Sequence, residues 1–255
     1  MITLEERRKI KEYFKRFPTW TIWTILISIP FIGVYGIGII GFIISGITIY
    51  KWQQKIDDKQ FDYYRNKSLR ELRKVALEKL RLDESELVRD NESIISPKYW
   101  NIGGAKLGMK KGKDDVLRYS PIGTNLIFFT ENKLCIYQCA LDLFTGNPLN
   151  ICSSKYYYQD IVAIETQSHA FSIKEGELNE KALKYMPNLR NNVINGVIQI
   201  NQSEQFVLTT KGGTAVKIQL PDYSILNYGL KGKLSHSRSD KAIASVEAML
   251  DSKKS

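Results

Sequence analysis

The chain has 255 residues, 43% of them hydrophobic and 25% charged, with a formal net charge of +10. That is enough for one membrane segment plus one well-filled core. The basic excess lies in no long arginine tract, aromatic RNA motif or zinc-finger spacing, which argues against nucleic acid and leaves an anionic membrane surface or ordinary solvated charge.

Residues 1–18 open with a short amphipathic helix. Thr3 and Glu6 make a capping box, Ile10, Tyr13, Phe14 and Phe17 repeat at helical spacing, and Arg7, Arg8, Lys11 and Lys15 surround that stripe. Two readings stand: a helix lying in the headgroup layer, or one packed on a neighbouring subunit. Pro18 ends it.

Residues 19–50 carry no formal charge over 32 positions and are expected to form a membrane segment, since about 20 apolar residues of helix cross a hydrocarbon core. Pro30, Gly33 and Gly36 break the run near its middle. Either one kinked span crosses the bilayer, or two short helices, 19–31 and 37–50, make a hairpin turning at 33–36. Lys and Arg outnumber acids six to three in both 1–18 and 51–70, so both flanks read as cytoplasmic. Phe14, Phe17, Trp20, Trp23 and Trp52 are the expected interface residues. Gly36 to Gly41 spells GxGxxG but lacks the preceding strand, the following polar helix and the later acid of a nucleotide fingerprint. Gly41 and Ser45 form a small-xxx-small pair that would let two helices approach closely.

Residues 51–93 read as a stalk, with a charged helical stretch over 51–82 free of Gly and Pro and a capped turn at Asp83 to Glu86. Its apolar spacing sustains no long heptad seam. From 94 onward the period changes to two. Strands are expected at 116–119, 125–130, 134–143, 149–158, 161–166, 197–200, 205–210 and 215–220, joined by tight turns such as Lys211 to Gly213. A C-terminal helix over 240–254 presents Ile243, Val246, Met249 and Leu250 on one face. The expected fold is therefore α+β, with 94–255 an antiparallel barrel or sandwich capped by that helix. Cys135, Cys139 and Cys152, odd in number and in strand-like surroundings, fit buried thiols of a reducing compartment.

The segments LIFFTENKLCIYQ (126–138), KYYYQDIVAIET (155–166), FVLTTKGGTAVKI (206–218) and AIASVEAML (242–250) are similar to bacterial pleckstrin-homology-like domains. Tyr158, Asp160, Ile161 and Ile164 represent the Y-x-D-I-x-x-I step of that pattern. RYSPIGTNLIFF (118–129) with KYYYQDI resembles bacterial membrane proteins that carry such a domain behind a short anchor. The resemblance covers about 118–254 together with the anchor-and-stalk layout, and implies a membrane-anchored binding module. The insertions 170–195 and 223–239 depart from a minimal domain of that type.

No catalytic set emerges. Gly108 to Lys113 is one residue short of a phosphate loop and has Asp114 where Ser or Thr must bind magnesium. His169 and His236 stand apart from any nucleophile motif, and no metal or cofactor is expected. Basic residues cluster at Lys106, Lys110, Lys111 and Lys113 and again at Lys231, Lys233, His236, Arg238 and Lys241. They are candidate contacts for anionic lipid or an acidic partner. The sequence thus points to a non-enzymatic scaffold or adaptor integral to the bacterial inner membrane, its domain cytoplasmic and binding a protein partner or another copy of itself. The alternatives are an anionic-lipid surface sensor and a subunit of a larger stress or defence complex.

Overall fold

The computed structural model describes residues 2–31, 37–98, 102–177, 180–220, 232–233 and 239–254. The chain divides into two compact units, Ile2–Tyr64 and Arg65–Ser255.

In the first unit α1, Leu4–Tyr13, starts at the expected capping box: the Glu6 amide donates to Thr3 Oγ1 at 3.2 Å and the Thr3 amide to Glu6 Oε2 at 2.7 Å. Its apolar stripe turns inward. Ile10 and Tyr13 are fully buried, and Tyr13 stacks on Phe61 with centroids 4.7 Å apart while donating its hydroxyl to Asp58 Oδ1 at 2.6 Å. The stripe assigned to the headgroup layer is thus spent largely within the protein.

Helices α2, Trp20–Ser28, and α3, Ile37–Gln53, follow. The chain turns after Ser28, around Pro30, and the Gly38 amide donates to the Phe31 carbonyl at 3.3 Å. Gly33 and Gly36 lie outside the described residues. Nine and 17 residues of helix measure about 14 and 26 Å, short of a ~30 Å hydrocarbon core. Among the described residues no helix is long and apolar enough to cross a membrane, which corrects the expected transmembrane helix. Two things set the limit: Pro30 stops the first helix early, and the end of the second runs into polar Lys51 and Gln53. The continuous helix expected over 51–82 is also interrupted. Asp57 accepts from the Gln60 amide at 2.7 Å and Gln60 Oε1 accepts from the Asp57 amide at 3.3 Å, a capping box that restarts the chain as α4, Asp58–Leu80.

The second unit begins within α4, whose Leu72, Ala76, Leu77 and Leu80 are buried. Its strands are β1, Glu92–Pro97; β2, Gly108–Lys111; β3, Leu117–Ser120; β4, Ile122–Phe129; β5, Lys133–Leu141; β6, Pro148–Tyr157; and β7, Ile161–Lys174. After the short α5, Glu180–Tyr185, come β8, Val193–Ile194; β9, Val197–Thr210; β10, Ala215–Gln219; and finally α6, Ser239–Lys254. The fold is α+β with antiparallel sheets. Of the expected barrel or sandwich, no closed barrel forms among the described residues. One sheet runs β1-β4-β5-β6, a second β10-β9-β7 with β8 on β9, and a third is the β2-β3 hairpin. Chain neighbours β6 and β7 are joined by a 3-10 turn, Tyr158–Asp160, yet pair in different sheets, β6 with β5 and β7 with β9.

The main core fills the space between those sheets and α6. Ile127, Phe129, Leu134 and Ile136 meet Phe206, Leu208 and Ile218, and α6 adds Ala242, Val246 and Leu250. Tyr158 is buried in this cluster with its hydroxyl on the Thr130 carbonyl at 3.1 Å, whereas Tyr157 remains exposed. A smaller core joins β2 and β3 to β7 and β9 through Met109, Leu117, Ile173, Ile198 and Ile200, with Met186 and Leu189. Phe129 belongs to the main core and lies under the Arg89 guanidinium, 5.1 Å from its centroid. Phe129→Ala is expected to cost about 3–5 kcal/mol of stability, whereas Tyr157→Ala at the exposed end of β6 costs about 0.5 kcal/mol; denaturant unfolding of the two variants checks the contrast.

Candidate functional site

Three surfaces qualify, and two of them lie in the strand-rich unit. The first is the β2-β3 turn. Asp114 accepts from Arg118 at 2.9 and 2.8 Å through both carboxylate oxygens, and Lys111 donates to Asp115 at 2.6 Å. The Arg118 guanidinium beside Asp114 holds that carboxyl well below the usual carboxylate range, and Lys111 lowers Asp115 by the same kind of bond. Lys233 is drawn to this turn by backbone pairing: its amide donates to the Asp115 carbonyl at 2.7 Å and its carbonyl accepts from Leu117 at 2.8 Å. Gly232 makes the approach possible, because at φ 146° a Cβ there would sit 2.9 Å from the Asp115 carbonyl oxygen.

Two basic clusters far apart in sequence therefore meet at Lys111 and Lys233. Lys106 and Lys113 are exposed and Lys110 half-buried on the same hairpin or just before it. Lys231, His236 and Arg238 lie outside the described residues. Part of the expected positive charge is balanced locally, since Asp114 and Asp115 occupy the turn itself, and Lys241 pairs with Glu92 at 3.4 Å.

The second surface is the α2-α3 hairpin of the first unit. Its seam is made of small and polar residues: Thr21, Ser28 and Ser45 are buried, and a Cβ on Gly41 would strike Ser28 Oγ and meet Thr24 Cγ2 at 3.5 Å. The large apolar side chains point away from that seam, with Trp23 66%, Ile27 60%, Ile40 59% and Ile43 55% exposed. Trp20 is exposed beside them, and Phe17 meets Trp52 edge-on at 5.0 Å with Lys55 over the Trp52 ring. Phe14 packs edge-on against Phe61. The hydroxyls of Thr21, Thr24 and Thr48 donate to carbonyls of Pro18, Trp20 and Ile44 at 2.7–2.9 Å, so they need no water.

The third surface is a cleft of about 410 Å³ that sequence reasoning missed. Its floor is the inward face of β1, β4, β5 and β6 beyond the core. There the ladder sets Asn125 opposite Gln138 and Gln138 opposite Cys152, and in the next row Ser96 opposite Gly123 and Gly123 opposite Ala140. The pattern was legible as a break in alternation, because Asn125 and Gln138 occupy positions in phase with Ile127 and Ile136. Asn125 donates to the Ile94 carbonyl at 3.3 Å, and Gln138 Nε2 donates to Asn125 Oδ1 at 2.9 Å and to the Lys217 carbonyl at 3.2 Å. Lys98 and Lys217 line the cleft, and burial lowers the pKa of the Lys98 ammonium. Cys139 also lines it, its thiol pushed up to about 12 by burial; burial also raises the thiol of Cys135, and Cys152 is exposed. Among the described residues no cluster of His, Cys, Asp and Glu could hold a metal ion.

The two aspartates of the β2-β3 turn make stability pH-dependent. Their folded pKa values lie below the ordinary 3.8, so their contribution is complete above that pH and is lost as pH falls through it toward the folded values. Melting temperature should fall below about pH 4, and Asp114→Asn should remove part of that acid sensitivity while costing about 1 kcal/mol at neutral pH, a small figure because Asp114 is half-exposed. Acid melts of wild type and variant check both statements. Comparison with protein-family models, with curated proteins and with solved structures finds no match for this chain.

Proposed function

We propose that the chain is a binding protein held at the cytoplasmic face of a bacterial cell membrane, its α2-α3 hairpin dipping into one leaflet without crossing, while the strand-rich unit recruits a protein partner. The observation that carries this reading is the inverted packing of the hairpin, small and polar at its seam and apolar on its outside. In water such a pair would expose its largest apolar groups and gain nothing by it; in lipid the outside is solvated and close packing of small residues joins the helices. The tryptophans and the basic flanks at the ends of the hairpin support an interfacial depth.

Recruitment of a partner is supported by the outer strands β6 and β7. β6 has ten residues and β7 has 14, and the side chains of Ile151, Tyr157 and Val162 along them are exposed. Among the described residues each strand pairs on one side only, and edges of this length are suited to accept an added strand. A four-stranded and a three-stranded antiparallel sheet followed by a packed C-terminal helix also support the resemblance to pleckstrin-homology-like binding modules, here in an open form. Free Cys135, Cys139 and Cys152 suit a reducing compartment.

Full-length protein is expected to float with vesicles containing anionic lipid, and Trp23→Ser combined with Ile43→Asp to lower its partition by about tenfold. In a Cys152→Ser background, where the remaining Cys135 and Cys139 are buried, cysteines introduced one at a time as Lys11→Cys and Lys51→Cys should both react with a membrane-impermeant maleimide added from one side. Protein left in the aqueous fraction, or labels on opposite sides, would overturn the proposal.

A further inference from the structure

We propose that strand β6 takes up an extended, acidic segment of a partner protein, added along its open edge, with alternate carboxylates seated on Lys79, Arg81 and Lys155. The inference rests on the reading that the strand-rich unit recruits a protein, and it names the chemistry of that partner.

The edge comes first. β6 pairs with β5 on one side and, among the described residues, with nothing on the other. The Tyr158 amide donates to the Asn132 carbonyl at 3.3 Å, which sets the phase of the antiparallel ladder. Because hydrogen-bonded and non-hydrogen-bonded pairs alternate, Tyr156 and Ser154 turn their amides and carbonyls to β5. Those of Tyr157, Lys155 and Ser153 point outward, where an added strand would lie. Lys155 is the one charged residue of β6, so the edge disfavours a second, equally basic copy of itself and favours an acidic strand.

The groove beside the edge supplies more of the same charge. Helix α4 and β6 flank a space of about 710 Å³ lined by Val75, Glu78, Lys79, Leu80, Arg81 and Lys155. Three cations stand there against one carboxylate. Lys79, Arg81 and Lys155 are exposed, and among the described residues none of them makes an ion pair.

The two features share one face of the sheet. Lys155 lies opposite Cys135 in the ladder and reaches the groove, and Tyr157, two residues along, is on the same face with the Lys133 ammonium 4.7 Å from its ring centroid. A strand laid along β6 sends every second side chain to that face. Acidic residues at those positions meet the three cations, and apolar ones among them cover exposed Val75 and Tyr157.

The test is fluorescence-anisotropy titration of the full chain in mild non-ionic detergent. The probes are a labelled peptide of about ten residues alternating valine and glutamate, its valine–lysine counterpart, and a proline–glutamate peptide of equal length and charge that holds polyproline II in place of a strand. The valine–glutamate peptide should bind at least about tenfold more tightly than either, and more weakly as sodium chloride is raised. Lys155→Glu and Lys79→Glu should each weaken it about fivefold. Ser153→Pro should do as much, since proline there removes an outward amide and leaves the ladder to β5 intact. Lys184→Glu, the same change of charge on exposed α5, should leave affinity unchanged. Equal binding of either control peptide, unchanged affinity in Lys155→Glu and Lys79→Glu, or an equal loss in Lys184→Glu would overturn the proposal. So would a dimer of the full chain that Ser153→Pro dissociates, because the edge would then belong to a second copy. Absence of peptide binding by protein that still floats with vesicles would strike the acidic partner and leave the membrane reading standing; binding by protein that stays in the aqueous fraction would do the reverse.

Discussion

Apolar surface has to be removed from water, and the two units of this chain meet that constraint in opposite ways. The strand-rich unit does so internally, by closing Phe129, Phe206, Leu208 and Ile218 under α6. The first unit buries Tyr13 against Phe61 but turns Ile27, Ile40 and Ile43 outward from a seam of Thr21, Ser28, Gly41 and Ser45. Burial of hydroxyls in preference to isoleucines is unfavourable in water. It becomes favourable only when the surroundings are themselves apolar, because the isoleucines then have nothing to gain by leaving and the threonine hydroxyls are satisfied within their own helices.

The strand-rich unit shows how one face of a sheet can serve two ends. Along β4 and β5 the inward positions run Phe129, Ile127, Asn125, Gly123 and Leu134, Ile136, Gln138, and the change from apolar to polar falls at a single row. On one side of it the core provides the packing that holds the strands. On the other the same hydrogen-bonded ladder fixes amide groups around a cavity. The Gln138 bond to the Lys217 carbonyl ties the first sheet to β10 at that boundary, so the cleft inherits the rigidity of the core beside it.

Much of this was readable from the residues, and the misses have physical causes. The capping box at Thr3 and Glu6, the strands of β4, β5, β6 and β10, and the apolar face of α6 are all local patterns, and local patterns survive folding. The expected membrane crossing is not supported by the described helices, because hydropathy counts apolar residues and says nothing of how far Pro30 lets a helix run. The stalk was read through Asp57 and Gln60 because neither residue breaks a helix; the restart is visible only as a reciprocal side-chain cap. Barrel closure failed as an inference because it depends on which strand pairs across the ends of β6 and β7, and periodicity carries no information on partners. The cleft was missed for a related reason: Ser96, Gly123 and Lys98 come together only through the register of β1 with β4.

The distribution of charge separates the two units further. A net +10 summed over the sequence suggests a basic molecule throughout, yet at the β2-β3 turn Arg118 is buried on Asp114 and Lys111 is tied to Asp115. Charges paired at that range cancel beyond a Debye length, so the turn projects less positive potential than its lysines imply. The flanks of the hairpin are different: Lys and Arg exceed acids by six to three on each side. Arg65, Lys67 and Arg70 of the second flank belong to the strand-rich unit, so within the first unit the excess sits in residues 1–18, where, on the proposed membrane reading, it would act beside the apolar hairpin. In the strand-rich unit the described lining of the cleft holds two lysines, Lys98 and Lys217, and no carboxylate.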